Sequence, residues 1–406
     1  MAQGAVGLSQ GPVGMSEVGD RRWRLLLGEP AEAALGVTLD AGDQEMDAAL
    51  AALYDPEAEE GDGRRRAGGL AASAPRVARW LGDIRTYFPT SVVQVMQRDA
   101  IERLNLTSML LEPELLDSLQ PDVHLVGTLV SLAKVMPDTT RATARAVVAT
   151  VVAQIEQRVA QQTRSAVTGA LNRGSRTRRP RPGDIDWNAT IAANLKHYLP
   201  EHRTVVPERL VGYGRSSAVV AKEVIVAIDQ SGSMAESLVY GAVFGATLAS
   251  MRAVKTSLVA FDTEIADLTE LLSDPVELLF GCQLGGGTDI NRAVAYCATL
   301  VTRPTETVFV LISDLYEGGV AADLLRRVAE LVSSGVTVIV LLALSDSGAP
   351  SYDHEHAAAL AELGVPAFAC TPDLFPDLLA VALSKGDVAQ WLSRSQLEAR
   401  SHAPRG

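Results

Sequence analysis

Cysteine is scarce in this chain. Three occur in 406 residues, Cys282, Cys297 and Cys370, and an odd number at wide spacing supports neither a disulfide framework nor a zinc knuckle. Buried free thiols are expected instead. Long apolar runs are missing as well: nothing approaches the roughly 18 to 20 unbroken apolar residues a membrane helix needs, so no membrane association is expected. The opening MAQGAVGLSQGPVGMSEVGDRRW has neither a basic start nor an apolar centre, unlike a secretion signal, and a cytoplasmic location is expected. Positive charge is lacking in one half only. Residues 220–400 carry 10 Lys and Arg against 23 Asp and Glu, whereas residues 1–219 carry 25 against 26. Such acidity repels nucleic-acid phosphates and suits cations or basic protein surfaces, so nucleic acid is not an expected partner. A phosphate cradle is absent too: the glycine-rich LGGGTDI has no Gly-Lys-Ser/Thr to hold a nucleotide.

What remains is ordinary globular material, 47% apolar and 21% charged, long enough for two or three domains. Residues 1–69 read as a partly disordered helical segment, with RRWRLLLG and MDAALAALY helical in pattern and EAEEGDGRRRAGG (57–69) breaking it. Residues 70–170 read as an all-α bundle. In PRVARWLGDIRTYF, Val77, Trp80, Leu81, Ile84 and Phe88 fall three and four apart, one face of an amphipathic helix. LLEPELLDSL, PDVHLVGTLVSLAKVM and TARAVVATVVAQIEQRVAQQ continue the pattern. Residues 171–219 form a basic linker: Arg173, Arg176, Arg178, Arg179 and Arg181 sit among Pro and Gly, the character of a solvated tether. Behind it, IDWNATIAANLKHY and RTVVPERLVGYGR are expected to pair as short strands.

From 220 to 385 the pattern changes. EVIVAI, TSLVAF, TVFVLIS and VTVIVLLAL are continuous Val- and Ile-rich runs, as for strands buried on both faces of a parallel sheet, and helical stretches alternate with them. The expected fold is α/β, a doubly wound Rossmann-like domain with a mostly parallel sheet, closed by the strand PAFAC and a helix and followed by a tail over 386–406.

Ligands of such sheets bind at the carboxyl ends of the strands, beside a switch in strand order. There this chain places oxygen side chains: Asp229, Ser231 and Ser233 in VIVAIDQSGSM, Thr288 in LGGGTDI, and Asp314 in LISDLYEGG. In a tight turn residues 229, 231 and 233 can point one way, and Gly232 and glycines 285–287 permit close backbone approach. Carboxylates and hydroxyls are hard donors that favour Mg²⁺ or Mn²⁺ over zinc. Helix capping explains Asp229 or Ser233 singly, but not Thr288 and Asp314.

These three loops, in order and on this strand–helix background, resemble the metal-ion-dependent adhesion site of the von Willebrand factor A (VWA) family over roughly residues 220–385. The resemblance implies that Ser231, Ser233 and Thr288 coordinate Mg²⁺ directly, with Mn²⁺ or Ca²⁺ as alternatives, and that Asp229 and Asp314 act mostly through bound water. Neutral hydroxyl ligands leave the cation electrophilic, so a partner's Asp or Glu carboxylate gains by filling an open position. IDQSGSM and the upstream DIDWNATIAANLKHY are similar to the CoxE-like group of bacterial VWA proteins, although Ala192 and Ala193 stand where basic residues are expected. That likeness implies a MoxR-type AAA+ ATPase as partner and a role in remodelling or maturing a client protein.

Two other readings compete. The helical half could be the main interaction scaffold. A haloacid-dehalogenase-type phosphotransferase also carries an aspartate after its first strand, but its second carboxylate two residues on is replaced here by Ser231, which cannot exchange protons near neutral pH; no enzyme activity is expected. YDHEH (352–356) puts His354 and His356 two apart, which on a helix face different directions, so they are not expected to share a ligand.

Overall fold

The computed structural model describes residues 17–28, 31–54, 74–103, 106–174, 176–177, 180, 182–213, 222–282, 287–346 and 351–394. The Arg-rich stretch at 178, 179 and 181, glycines 285 and 286, and the breaker at 57–69 lie outside them. The chain forms two compact units, Met1–Gln120 and Pro121–Gly406.

The first unit is helical: α1 (Glu17–Leu27), α2 (Glu32–Leu35), α3 (Ala41–Tyr54), α4 (Ala74–Tyr87), α5 (Thr90–Arg103) and α6 (Pro113–Ser118). Of the stripe read from the sequence, Val77, Trp80, Leu81 and Ile84 are buried and Phe88 is half-buried. Trp80 satisfies its indole N–H on the Ala49 carbonyl at 2.9 Å, which pins α4 to α3. Arg24, 3% exposed, is neutralised by Glu32 and Asp47.

The second unit opens with α7 (Val123–Leu132) and α8 (Asp138–Gly174) and continues through β1 (Arg176–Thr177), α9 (Trp187–Ala193), β2 (Tyr198–Leu199), β3 (Thr204–Val205) and β4 (Gly212–Tyr213). Then come β5 (Lys222–Asp229), α10 (Ala235–Ala249), β6 (Val254–Phe261), β7 (Ile265–Asp267), α11 (Pro275–Gly281), α12 (Ile290–Leu300), β8 (Thr307–Ile312), α13 (Ala321–Ser333), β9 (Thr337–Leu344), α14 (His354–Glu362), β10 (Ala367–Cys370) and α15 (Phe375–Leu383). The six-stranded sheet has the order β10-β9-β8-β5-β6-β7. All neighbours are parallel except the edge strand β7. β5 and β8 are completely buried, as their unbroken apolar runs require.

α12, α13 and α14 cover one face of the sheet around Ile225, Ala227, Phe261, Phe309 and Leu311. α10 and α15 cover the other. α10 lies close because of Gly241: a Cβ there would sit 2.3 Å from the Cδ1 of Ile228 on β5. All three cysteines are buried and free, and burial pushes each thiol up to about 12.

The structure differs from the expected 70–170 bundle. α7 and α8 belong to the second unit and form a further layer over α10 and α15. Val148, Val152, Ile155 and Val159 of α8 are buried, and Arg158 fixes the helix with double contacts to Asp346 and Asp373. An amphipathic stripe announces a buried face without naming what buries it. The segment after the linker also differs. Half of IDWNATIAANLKHY is helix α9, capped by Asp186 accepting from the Ala189 N–H at 3.0 Å; the expected pairing of the two segments is confined to β2 with β3, and β4 pairs with β1 instead. Past residue 386, Trp391 packs on Phe368 with ring centroids 6.5 Å apart.

Candidate functional site

The central strands β5 and β8 end side by side, where the strand order reverses. Asp229 closes β5 and is fully buried. Its Oδ1 accepts the Ser231 N–H at 2.9 Å, an Asx-type turn, and its Oδ2 accepts the Ser313 hydroxyl at 2.8 Å from the end of β8. The turn brings the Ser231 and Ser233 hydroxyl oxygens to 3.2 Å. The Ser233 hydroxyl then donates to Asp314 Oδ2 at 2.7 Å. Four of the five predicted residues are thus joined in one hydrogen-bonded chain across two loops.

Thr288 is tied to the Asp314 loop by its backbone. Its carbonyl accepts the Gly318 N–H at 2.7 Å, and the next residue, Asp289, donates its N–H to the Asp262 carbonyl at 2.9 Å. A Cβ at Gly318 would lie 2.5 Å from the Thr288 oxygen, so only glycine allows this approach. Among the described residues no hydrogen bond links the Thr288 hydroxyl to the other four.

The Asp314 loop holds an unusual backbone. Leu315 has φ +66° although buried, a left-handed conformation that costs a non-glycine residue on the order of 1 kcal/mol. Three contacts hold it. The Leu315 N–H donates to the Ser313 hydroxyl oxygen at 3.1 Å, the His356 Nδ1 donates to the Leu315 carbonyl at 3.0 Å, and the Asp353 N–H donates to the Asp314 carbonyl at 2.9 Å. The His-rich segment therefore braces this loop. His354 instead stacks on Tyr352, ring centroids 4.2 Å apart, so the two histidines do not converge.

Charge at the site is uncompensated. Burial pushes the Asp229 carboxyl up to about 6, against the hydrogen bonds from Ser231 and Ser313, and neighbouring Asp314 adds to the rise. Asp314 is also buried, and neither carboxylate has a Lys, Arg or His partner among the described residues. Two adjacent buried anions without a counter-ion are costly, and a cation between them removes the cost. The donors suit a hard divalent ion: every one is oxygen, and 3.2 Å between the serine oxygens is near the ~3 Å edge of an octahedron with ~2.1 Å bonds. No cluster of three or more His, Cys, Asp or Glu able to hold a metal occurs among the described residues; the set here is of another kind, two carboxylates with the Ser231 and Ser233 hydroxyls.

Sequence reasoning missed Ser313 and Glu317. Ser313 bridges Asp229 and the Leu315 turn, and its signal was slight, a hydroxyl ending an otherwise apolar strand. The Glu317 carboxylate accepts the Asn291 N–H at 3.0 Å and the Gly319 N–H at 2.6 Å, tying the Asp314 loop to the start of α12. Burial raises its pKa. The Gly-Gly that follows it was the available hint.

A family model described as VWA domain containing CoxE-like protein matches residues 156–379. The chain belongs to the CoxE-like family of VWA-domain proteins. The match opens inside α8, in keeping with that helix lying over the CoxE-like domain. The uncharacterized protein YehP of Escherichia coli (strain K12) is 35% identical over 389 residues, covering 94% of this chain and 99% of its own. Among solved structures, an aerotolerance-related membrane protein from Bacteroides fragilis NCTC 9343 is 18% identical with a TM-score of 0.31, over 40% of this chain and 99% of its own. BatB from Bacteroides thetaiotaomicron gives 18% and 0.31 over 42% and 99%. Among the described residues no helix is long and apolar enough to cross a membrane.

Proposed function

We propose that this CoxE-like protein is a metal-dependent protein-binding module rather than an enzyme. Mg²⁺ is held by Ser231, Ser233 and Thr288, with Asp229 and Asp314 behind them, and an acidic side chain of a partner completes its coordination. The partner is a MoxR-type AAA+ ATPase, for which the protein acts as adaptor in remodelling or maturing a client. One observation carries the reading: the chain Ser313–Asp229–Ser231–Ser233–Asp314 gathers two buried carboxylates and three hydroxyls with no cationic side chain to balance them among the described residues. Both Asp229 oxygens accept hydrogen bonds, which suits an orienting role better than that of a phosphoryl acceptor.

The first unit favours a second reading, an interaction scaffold. It holds a cavity of about 680 Å³ lined by Leu25, Met46, Leu50, Tyr54, Phe88 and Val95, a size and lining suited to apolar side chains. Pull-down of the purified ATPase by the full chain, with and without EDTA, separates the two. Capture that needs Mg²⁺ and is lost in Asp229→Ala and Thr288→Ala supports the metal site; capture indifferent to chelator and to both variants assigns the contact to the helical unit.

A further inference from the structure

Residues 187–206 turn their apolar side chains outward. Trp187, Ile191 and Leu195, spaced four apart along α9 and the turn after it, are 55, 44 and 61% exposed, and Tyr198, Leu199 and Val206 beside them are exposed too. Single exposed apolar residues are normal, but a contiguous group marks a binding surface. This one borders a cavity of about 420 Å³.

The patch has a rigid base. Asn194 is 1% exposed and uses its whole side-chain capacity: Nδ2 donates to the Thr190 and Arg209 carbonyls at 2.6 and 2.7 Å, and Oδ1 accepts the Glu208 and Arg209 N–H groups at 3.0 and 3.1 Å. Thr190 both donates to and accepts from the Val211 backbone at 3.0 Å. Thr190 and Asn194 are buried while the apolar Trp187, Ile191 and Leu195 of the same stretch are exposed. Held this way, the surface loses little entropy on binding.

Charge identifies the occupant. At this face the Glu208 carboxylate is already taken by Lys196 and His197. Arg203 lines the cavity, is exposed, and has no acidic partner among the described residues. It closes the β2–β3 turn at φ +47°, a position glycine would take without strain; the chain has a guanidinium there instead.

We propose that this face docks an acidic, apolar segment of another protein, its apolar side chains seated against Trp187, Ile191 and Leu195 and a carboxylate paired with Arg203. The contact is independent of the metal site. The test is fluorescence anisotropy with the full chain and three labelled 12-residue probes: an amphipathic Leu/Glu peptide, its Leu/Lys counterpart and a Ser/Glu peptide without apolar residues. The Leu/Glu probe is expected to bind at least 10-fold more tightly than either of the others, with or without EDTA. Leu195→Ser should weaken it about 10-fold, and Arg203→Glu should reverse the preference toward Leu/Lys, with unchanged melting temperatures. Equal binding of the Glu and Lys probes, no binding of any at 1 mM, or wild-type affinity in both variants overturns the proposal. So does sedimentation with phosphatidylserine vesicles that Leu195→Ser abolishes, which assigns the face to a membrane, or a dimer that the same variant dissociates, which assigns it to a second copy.

Discussion

Strand β5 carries a buried carboxylate near each end, and the two are in opposite condition. Glu223, at the start of the strand, is 3% exposed and accepts from the Thr302 N–H at 3.1 Å, the Thr302 hydroxyl, the Arg303 N–H at 3.3 Å and the Thr307 hydroxyl at 3.0 Å. Lys255 and Arg303 stand 3.7 Å away. Burial alone would raise this group, but the hydrogen bonds outweigh it and hold the carboxyl down at about 2. Asp229, at the other end, has two hydrogen bonds, a second anion for a neighbour and a carboxyl pushed up to about 6. Both side chains are shut off from solvent, but Asp229 lies deeper and has fewer partners, and depth and partners push the two groups apart in the same sense. A carboxylate with its partners supplied by the protein is structural; one left short of positive charge is poised for something from outside.

That contrast can be broken at either end. The largest expected effect is at the site: Asp314→Asn should weaken Mg²⁺ binding by 100-fold or more while the metal-free protein keeps its melting temperature within a few degrees, because the change removes one of two repelling charges. Calorimetry and a melting curve on the same sample check both halves. At the opposite end, Glu223→Gln should cost about 3 kcal/mol, since it breaks a buried charged network, and lower Tm by roughly 6–12 °C with Mg²⁺ affinity unchanged. A matching loss of metal binding would show that the two ends are not separable.

The same comparison sets a pH dependence. The Glu223 carboxyl is depressed when folded, so its contribution is present in full above the unfolded value near 4.3 and is lost as pH falls toward about 2. Acid unfolding followed by circular dichroism should be shallower between pH 4.5 and 2 in Glu223→Gln than in the wild type. A smaller effect is expected at Thr288, which adds a hydroxyl but no charge. Thr288→Ala should weaken Mg²⁺ roughly 10-fold and leave metal-free stability within about 1 kcal/mol; a large Tm loss without metal would make the residue structural.

The sheet was legible in the sequence because its strands are buried on both faces and read as unbroken apolar runs, and because Asp229, Ser231, Ser233 and Asp314 follow the ends of β5 and β8, which the fold sets side by side, whereas Thr288 lies in the loop before α12. Less was legible where the same pattern fits two partners. The stripes on α7 and α8 are equally consistent with packing on other helices of a bundle or on α10 and α15. At Gly127 of α7 an added Cβ would lie 2.8 Å from the Cβ of Ala235, and small residues of that kind leave no periodic trace. α9 was readable in hindsight, since Asp186 is a capping residue and Trp187, Ile191 and Leu195 follow at helical spacing. Their exposure was not readable, because periodicity does not say whether an apolar face is covered.

The central claim is that two loops of the second unit gather oxygen donors around a missing positive charge. Isothermal titration of chelator-stripped full-length protein with MgCl₂ tests it most directly. A saturable one-to-one heat in the wild type, absent in Asp314→Asn, is the predicted result; no heat with either Mg²⁺ or Mn²⁺, or a heat that survives the substitution unchanged, would contradict it.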